Sequence, residues 1–164
     1  IYSRPLSCPV FVDLLTNGNT IWNSSVVVRR SFLEEIGGFS EEKDLVGSED
    51  FDGWLRISKL SEKFDRLEGV LGYYWYGDDN LTSAKATLKN NLFVSERYED
   101  DLKMIGAKTL PGWMAYTLAR ASLALEDFAE ARRYSLLTLK SSVPFKTLVK
   151  AAITWVISAL KFRG

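Results

Sequence analysis

Apolar and polar positions follow two periods along this chain, and the switch between them marks its organisation. The run TIWNSSVVVRR sets three β-branched residues, Val26 to Val28, ahead of Arg29 and Arg30, a pattern that predicts a mostly buried strand. A short helix is expected next. Ser31 with Glu34 three residues on makes a capping box, Phe32, Leu33 and Ile36 form an apolar face, and Gly37 with Gly38 ends it. After the acidic loop EEKDLVGS a second helix begins near Ser48 or Glu49, with Phe51, Trp54, Leu55 and Ser58 along one inward face and Arg56 and Lys59 off it. In KFDRLEGVLGYYWYG the residues Leu71, Tyr73 and Trp75 alternate with Val70, Gly72, Tyr74 and Tyr76, the period of a strand, and the loop GDDNLTS closes it. Ser83 then caps a long helix running from Ala84 towards Ile105, and Gly106 stops it.

From Pro111 onward the pattern is wholly helical. Pro111 suits a first helical turn, and Asp127 with Glu130 makes a capping box that opens another helix. Two antiparallel helices are predicted, with Ala115, Ala119, Ala124, Ala129 and Ala131 letting the backbones approach and Tyr116, Leu123, Phe128, Tyr134 and Leu139 filling between them. Pro144 starts a last helix. The stretch YTLARASLALEDFAEARRYSLLTLKSSVP resembles one tetratricopeptide unit, in a single copy where solenoids need several. The expected division is therefore an α/β (or α+β) part over residues 1–106 and an all-α tail over 107–164, a helical hairpin plus a terminal helix, with helix predominating in total.

Composition narrows the chemistry. Hydrophobic residues make up 46% of the 164 residues and aromatic residues 13%, which excludes a disordered or fibrous chain. Cys8 is the sole cysteine and there is no histidine, so an internal disulfide, a Cys/His zinc site and every imidazole mechanism are excluded within this chain. Any general base here must be a carboxylate. Net charge is zero, yet a cut after Asp101 leaves 11 basic and 18 acidic residues before it and 10 and 3 after it, about −7 and +7. The basic part suits an anionic membrane surface better than nucleic acid, since its Lys and Arg are spread along helical patterns rather than bunched among stacking aromatics.

The chain opens on Ile1 with no secretory signal pattern and reads as part of something longer; no apolar run is long enough to span a bilayer. A cytoplasmic location is expected, with a peripheral place on the membrane face as its variant. The sequons at Asn23-Ser24-Ser25 and Asn80-Leu81-Thr82 carry little weight without a secretory signal.

Taken in order, the strand NSSVVVRR, a helix ending in EEIGGF, the acidic pair inside GSEDFDGWLR and the aromatic strand GYYWY resemble the acceptor-side, carboxy-terminal part of family 2 glycosyltransferases of the A-type fold, over roughly the first 100 residues. The resemblance implies a hexosyl transfer in which a base takes the proton of the acceptor hydroxyl as it attacks the anomeric carbon. By resemblance Asp50 is that base and Glu49 orients the acceptor or the base. The helix N-terminus favours the ionised form of both, and Gly47 lets backbone approach the sugar.

Each of these residues also has a plainer reading. Glu49 and Asp50 complement a helix dipole. Gly37, Gly38 and Phe39 form a helix end with a packed aromatic, or a corner shaping the acceptor cleft, or both. Trp54 is a core residue first and a sugar platform second. The tyrosines around Trp75 divide between sheet and cleft, and Tyr74 and Tyr76 stand as acceptor-side candidates. Asp52 reads as solvated or loop-bonding, as do Asp78 and Asp79, which replace the Arg and His found after this strand in many relatives. No metal ligands are assigned. A divalent metal (Mn or Mg) and the nucleotide sugar are expected for the whole enzyme, held by an amino-terminal half that these residues do not supply, so this chain alone is expected to be inert, with a sheet edge open where that half would pair. The alternative class is a non-enzymatic helical module, tetratricopeptide-like, for a protein partner or a membrane surface. The terminal helix FKTLVKAAITWVISALKFR fits either an interfacial helix with flanking Lys146, Lys150, Lys161 and Arg163, or one whose apolar side packs on the hairpin. A carboxylate-x-carboxylate motif upstream of Glu49 in the longer protein would favour the enzyme.

Overall fold

The computed structural model describes residues 3–69, 72–73, 83–107 and 110–161, and the chain divides into two compact units, Ile1–Leu81 and Thr82–Gly164. The boundary drawn from the sequence, 106/107, falls inside the second unit.

The first unit holds three helices: α1 (Val10–Asn17), α2 (Arg30–Glu35) and α3 (Glu49–Leu60), with short 3₁₀ turns at Asn23–Ser25 and Lys43–Leu45. α3 packs on both α1 and α2. Val10, Leu14, Leu15, Leu45, Phe51, Trp54, Leu55 and Ile57 are its buried apolar residues. Glu62, just past α3, accepts the Val10 N–H at 2.7 Å and so satisfies a first-turn donor of α1 that Pro9 cannot.

This arrangement overturns the expected α/β (or α+β) glycosyltransferase A-type domain: the described residues contain helices and no strand or sheet. The reason is visible at Val26 to Arg29. β-branched residues do make the backbone extended there, with φ −102° and ψ 139° at Val26, but no described residue pairs with it as a strand: the Val26 N–H turns back to Asn23 O at 3.3 Å and Val27 is 99% exposed. An extended segment becomes a strand only when a neighbour takes its N–H and C=O groups. The aromatic strand expected around Tyr74 to Tyr76 lies outside the described residues, and Gly72 and Tyr73 are irregular. The Ser31–Glu34 capping box is absent as well. α2 begins at Arg30, and Glu34 instead pairs with Arg30 at 2.7 Å.

The second unit contains α4 (Ala84–Arg97), α5 (Glu99–Met104), α6 (Gly112–Ala124), α7 (Phe128–Leu139) and α8 (Phe145–Lys161). α6 packs against α4, α7 and α8, and α7 against α8. Its core is built from Val94, Tyr98, Leu102, Met114, Leu118, Tyr134 and several alanines. Ser83 caps α4 by accepting from the Ala86 N–H at 3.1 Å, as its position suggested. The long helix expected to Ile105 is broken at Tyr98 (φ −108°, ψ 22°). The predicted hairpin is present as α6 and α7, with the Asp127 carboxylate accepting from the Glu130 N–H at 3.0 Å. No helix among the described residues is long and apolar enough to cross a membrane.

Candidate functional site

The first turn of α3 combines three acidic side chains, Glu49, Asp50 and Asp52, with a preceding glycine in the left-handed region (Gly47, φ 88°). Acidic residues are favoured there because the unpaired N–H groups leave a partial positive charge. The three carboxylates have different fates. That of Glu49 turns back and accepts the Gly47 N–H at 2.6 Å, which fixes the turn into the helix. That of Asp52 is 0% exposed and accepts from Arg56 Nε at 2.8 Å on the same helix, so the expectation of a solvated or loop-bonding Asp52 is corrected. Asp50 is half-buried, and its carboxylate accepts from the adjacent Phe51 N–H at 2.6 Å.

Burial raises the Asp50 carboxyl above the ordinary value of 3.8, and the Glu49 charge adds to the rise, while the Phe51 N–H bond opposes it. The direction is the reverse of that expected from the helix terminus: loss of solvation outweighs the backbone N–H bonds to the carboxylate. A less acidic carboxylate is a better proton acceptor, and it remains partly open to solvent.

Asp50 shares one side of α3 with Gly53, Trp54 and Ile57, at spacings of three, four and seven. Phe39, at the end of the Gly37-Gly38 corner, packs on Gly53 and Trp54 of that side. Gly37 (φ 72°) and Gly38 (φ 80°) end α2 in a Schellman motif, with Gly38 N–H donating to Leu33 O at 2.7 Å and Gly37 N–H to Glu34 O at 3.1 Å. Arg56 then ties the corner down. Its Nη1 donates to Ile36 O at 2.6 Å and its Nη2 to Gly38 O at 2.9 Å, while Nε holds Asp52. The Phe39 ring lies over Gly53 so closely that a Cβ there would come within 2.5 Å of it, and it meets the Trp54 ring edge-on at 5.5 Å between centroids.

The structure thus places Glu49, Asp50 and Trp54 on α3 with Gly47 just ahead of it, while Phe39 packs on Trp54 and the Gly37-Gly38 corner is held through Arg56. Trp54 is 2% exposed and belongs to the core, with its indole N–H buried and no acceptor for it among the described residues. Tyr74 and Tyr76, and with them Asp78 and Asp79, lie outside the described residues. The sequence reading missed Arg56, Asp52 and Gly53. An Asp and an Arg four apart on a helix was the available signal for the first two. For Gly53 there was none, since the ring that needs the space is 14 positions away in sequence.

Among the described residues no group of three or more acidic, histidine or cysteine side chains is placed to hold a metal ion. An open groove of about 370 Å³ exists in the second unit, lined by Ala84, Thr87, Tyr116, Thr117 and Arg120 among others. None of the expected site residues lines it. Comparison with protein-family models, with curated proteins and with solved structures finds no match to this chain.

Proposed function

We infer that the first unit is the acceptor-side part of a sugar-transferring enzyme in which Asp50 is the general base. The single observation that carries this reading is the state of the Asp50 carboxylate. It is half-buried, made less acidic by that burial, and set one helical turn before Gly53 and Trp54, on which the Phe39 ring packs. In the proposed step Asp50 takes the proton of an acceptor hydroxyl as that oxygen forms its bond to the anomeric carbon of a nucleotide sugar. The bond from that carbon to the diphosphate oxygen breaks, the electron pair leaves with the nucleoside diphosphate, and configuration inverts. Glu49 holds the backbone turn that sets Asp50 in place, and Arg56 holds the corner against α3. The reading rests on helix and corner residues and needs no sheet within this chain; donor binding is not assigned to these residues.

The test is sugar transfer by the natural full-length protein that contains this chain. Asp50→Asn lowers kcat by roughly 10²–10⁴-fold, the range for loss of a positioned base, with KM for the acceptor little changed, while Glu49→Gln costs less. Turnover by Asp50→Asn equal to the parent would remove the reading.

A second reading, a helical binding module without catalysis, is favoured by one feature of the second unit: the side of α8 turned to solvent is apolar.

A further inference from the structure

α8 is packed the opposite way round from an ordinary surface helix. Its buried side is formed by Ala151, Thr154 and Ser158, small residues at spacings of three and four that let it lie close to its neighbours α7 and α6. The two hydroxyls on that side cost nothing to bury, since Thr154 donates to Lys150 O at 3.0 Å and Ser158 to Thr154 O at 2.8 Å. The large apolar side chains face outward instead. Phe145 is 80% exposed, Leu160 71% and Ile153 54%, with Val149, Val156 and Ile157 also exposed. At 100° per residue these six fall within about 120° of arc, one continuous stripe along the helix. Such a stripe left in water costs free energy, so something is expected to cover it.

Charge says what. Lys146, Lys150 and Lys161 all fall along one border of the stripe on the same wheel, and α8 contains no acidic residue. From Ala131 to the last residue the chain carries Arg132, Arg133, Lys140, Lys146, Lys150, Lys161 and Arg163 and no Asp or Glu, a net +7 over 34 residues. Two copies joined through this stripe would bring those lysine borders into a common field. An anionic lipid surface meets both requirements at once: acyl chains take the apolar stripe, and headgroup phosphates and carboxylates take the ammonium groups that reach out from its border.

We propose that α8 is an interfacial helix that lies in the headgroup layer of an anionic bilayer, apolar stripe inward and lysine border at the phosphates. The proposal is independent of the role of Asp50. It is tested by sedimenting the whole chain with phosphatidylcholine vesicles made with and without phosphatidylserine. Binding is expected with phosphatidylserine only, and it weakens as salt rises. Lys146→Gln and Lys150→Gln each weaken it about fivefold. Ile153→Ser with Leu160→Ser weakens it with the charge unchanged; both sites are solvent-exposed, so an unaltered circular dichroism spectrum is expected and separates lost binding from lost folding. Equal binding to both vesicle types would overturn the proposal. So would full binding by the Ile153→Ser, Leu160→Ser pair, or a dimer that this pair dissolves in a chain that ignores vesicles, which would give the stripe to a second copy.

Discussion

At the scale of single residues, the four side chains of Glu49, Asp50, Asp52 and Arg56 occupy about two turns of α3 and do four different things. Asp50 has a consequence for stability that fixes its environment. Its carboxyl titrates higher in the folded chain than in the unfolded one, so between those two values the native state holds more protons and stability falls as pH rises. Above that window the ionised carboxylate is a standing cost. Asp50→Asn is therefore expected to raise the urea midpoint at neutral pH, and the gain should vanish below about pH 3.8, where the parent is protonated in both states. An unchanged midpoint at neutral pH would mean that the side chain is well solvated. Arg56 works in the opposite sense. Its removal leaves the fully buried Asp52 without its guanidinium partner and frees the carbonyls of Ile36 and Gly38. Arg56→Ala is expected to cost about 3 kcal/mol or more in denaturant unfolding, the scale for breaking a buried ion pair from one side.

Among the elements, helix ends repeat one device. α2 and α5 both finish in Schellman motifs with glycine in the left-handed position, Gly37 and Gly106, and both ends were legible from glycine alone. α6 ends in the same way, with Asp127 N–H donating to Ser122 O at 2.9 Å and Glu126 N–H to Leu123 O at 3.1 Å, but its left-handed residue is Glu126 at φ 62°. A side chain with a Cβ is strained there. Glu126→Gly should raise the stability of the second unit by up to about 1 kcal/mol in thermal unfolding, where glycine inside a helix would lower it. The same comparison explains which elements could be read in advance. Capping hydroxyls, carboxylates and glycines act within four residues, so Ser83, Asp127, Gly37 and Gly106 announce their helix ends. Strands depend on a partner elsewhere in the chain, and Val26 shows that a β-branched run yields extended backbone without a strand among the described residues.

On the scale of the whole molecule, the polarity of the charge distribution was visible in the sequence and the inside-out packing of α8 was not. The first follows from counting. The second depends on which side of a helix its neighbours take, and here small residues on α8 let α6 and α7 take the polar side. In the first unit the sequence likewise marked the acidic start of α3 and the glycine corner as candidates, while the clamp that joins them came only with folding, because Arg56 reaches carbonyls 18 and 20 positions away. The functional reading depends on that folded unit rather than on the acidic pair as a local motif. The most direct measurement is a ¹³C titration of the Asp50 carboxyl in the intact folded chain and again in denaturant. An apparent pKa above 3.8 when folded and close to it when unfolded is the expected result; a folded value at or below the unfolded one would contradict the account.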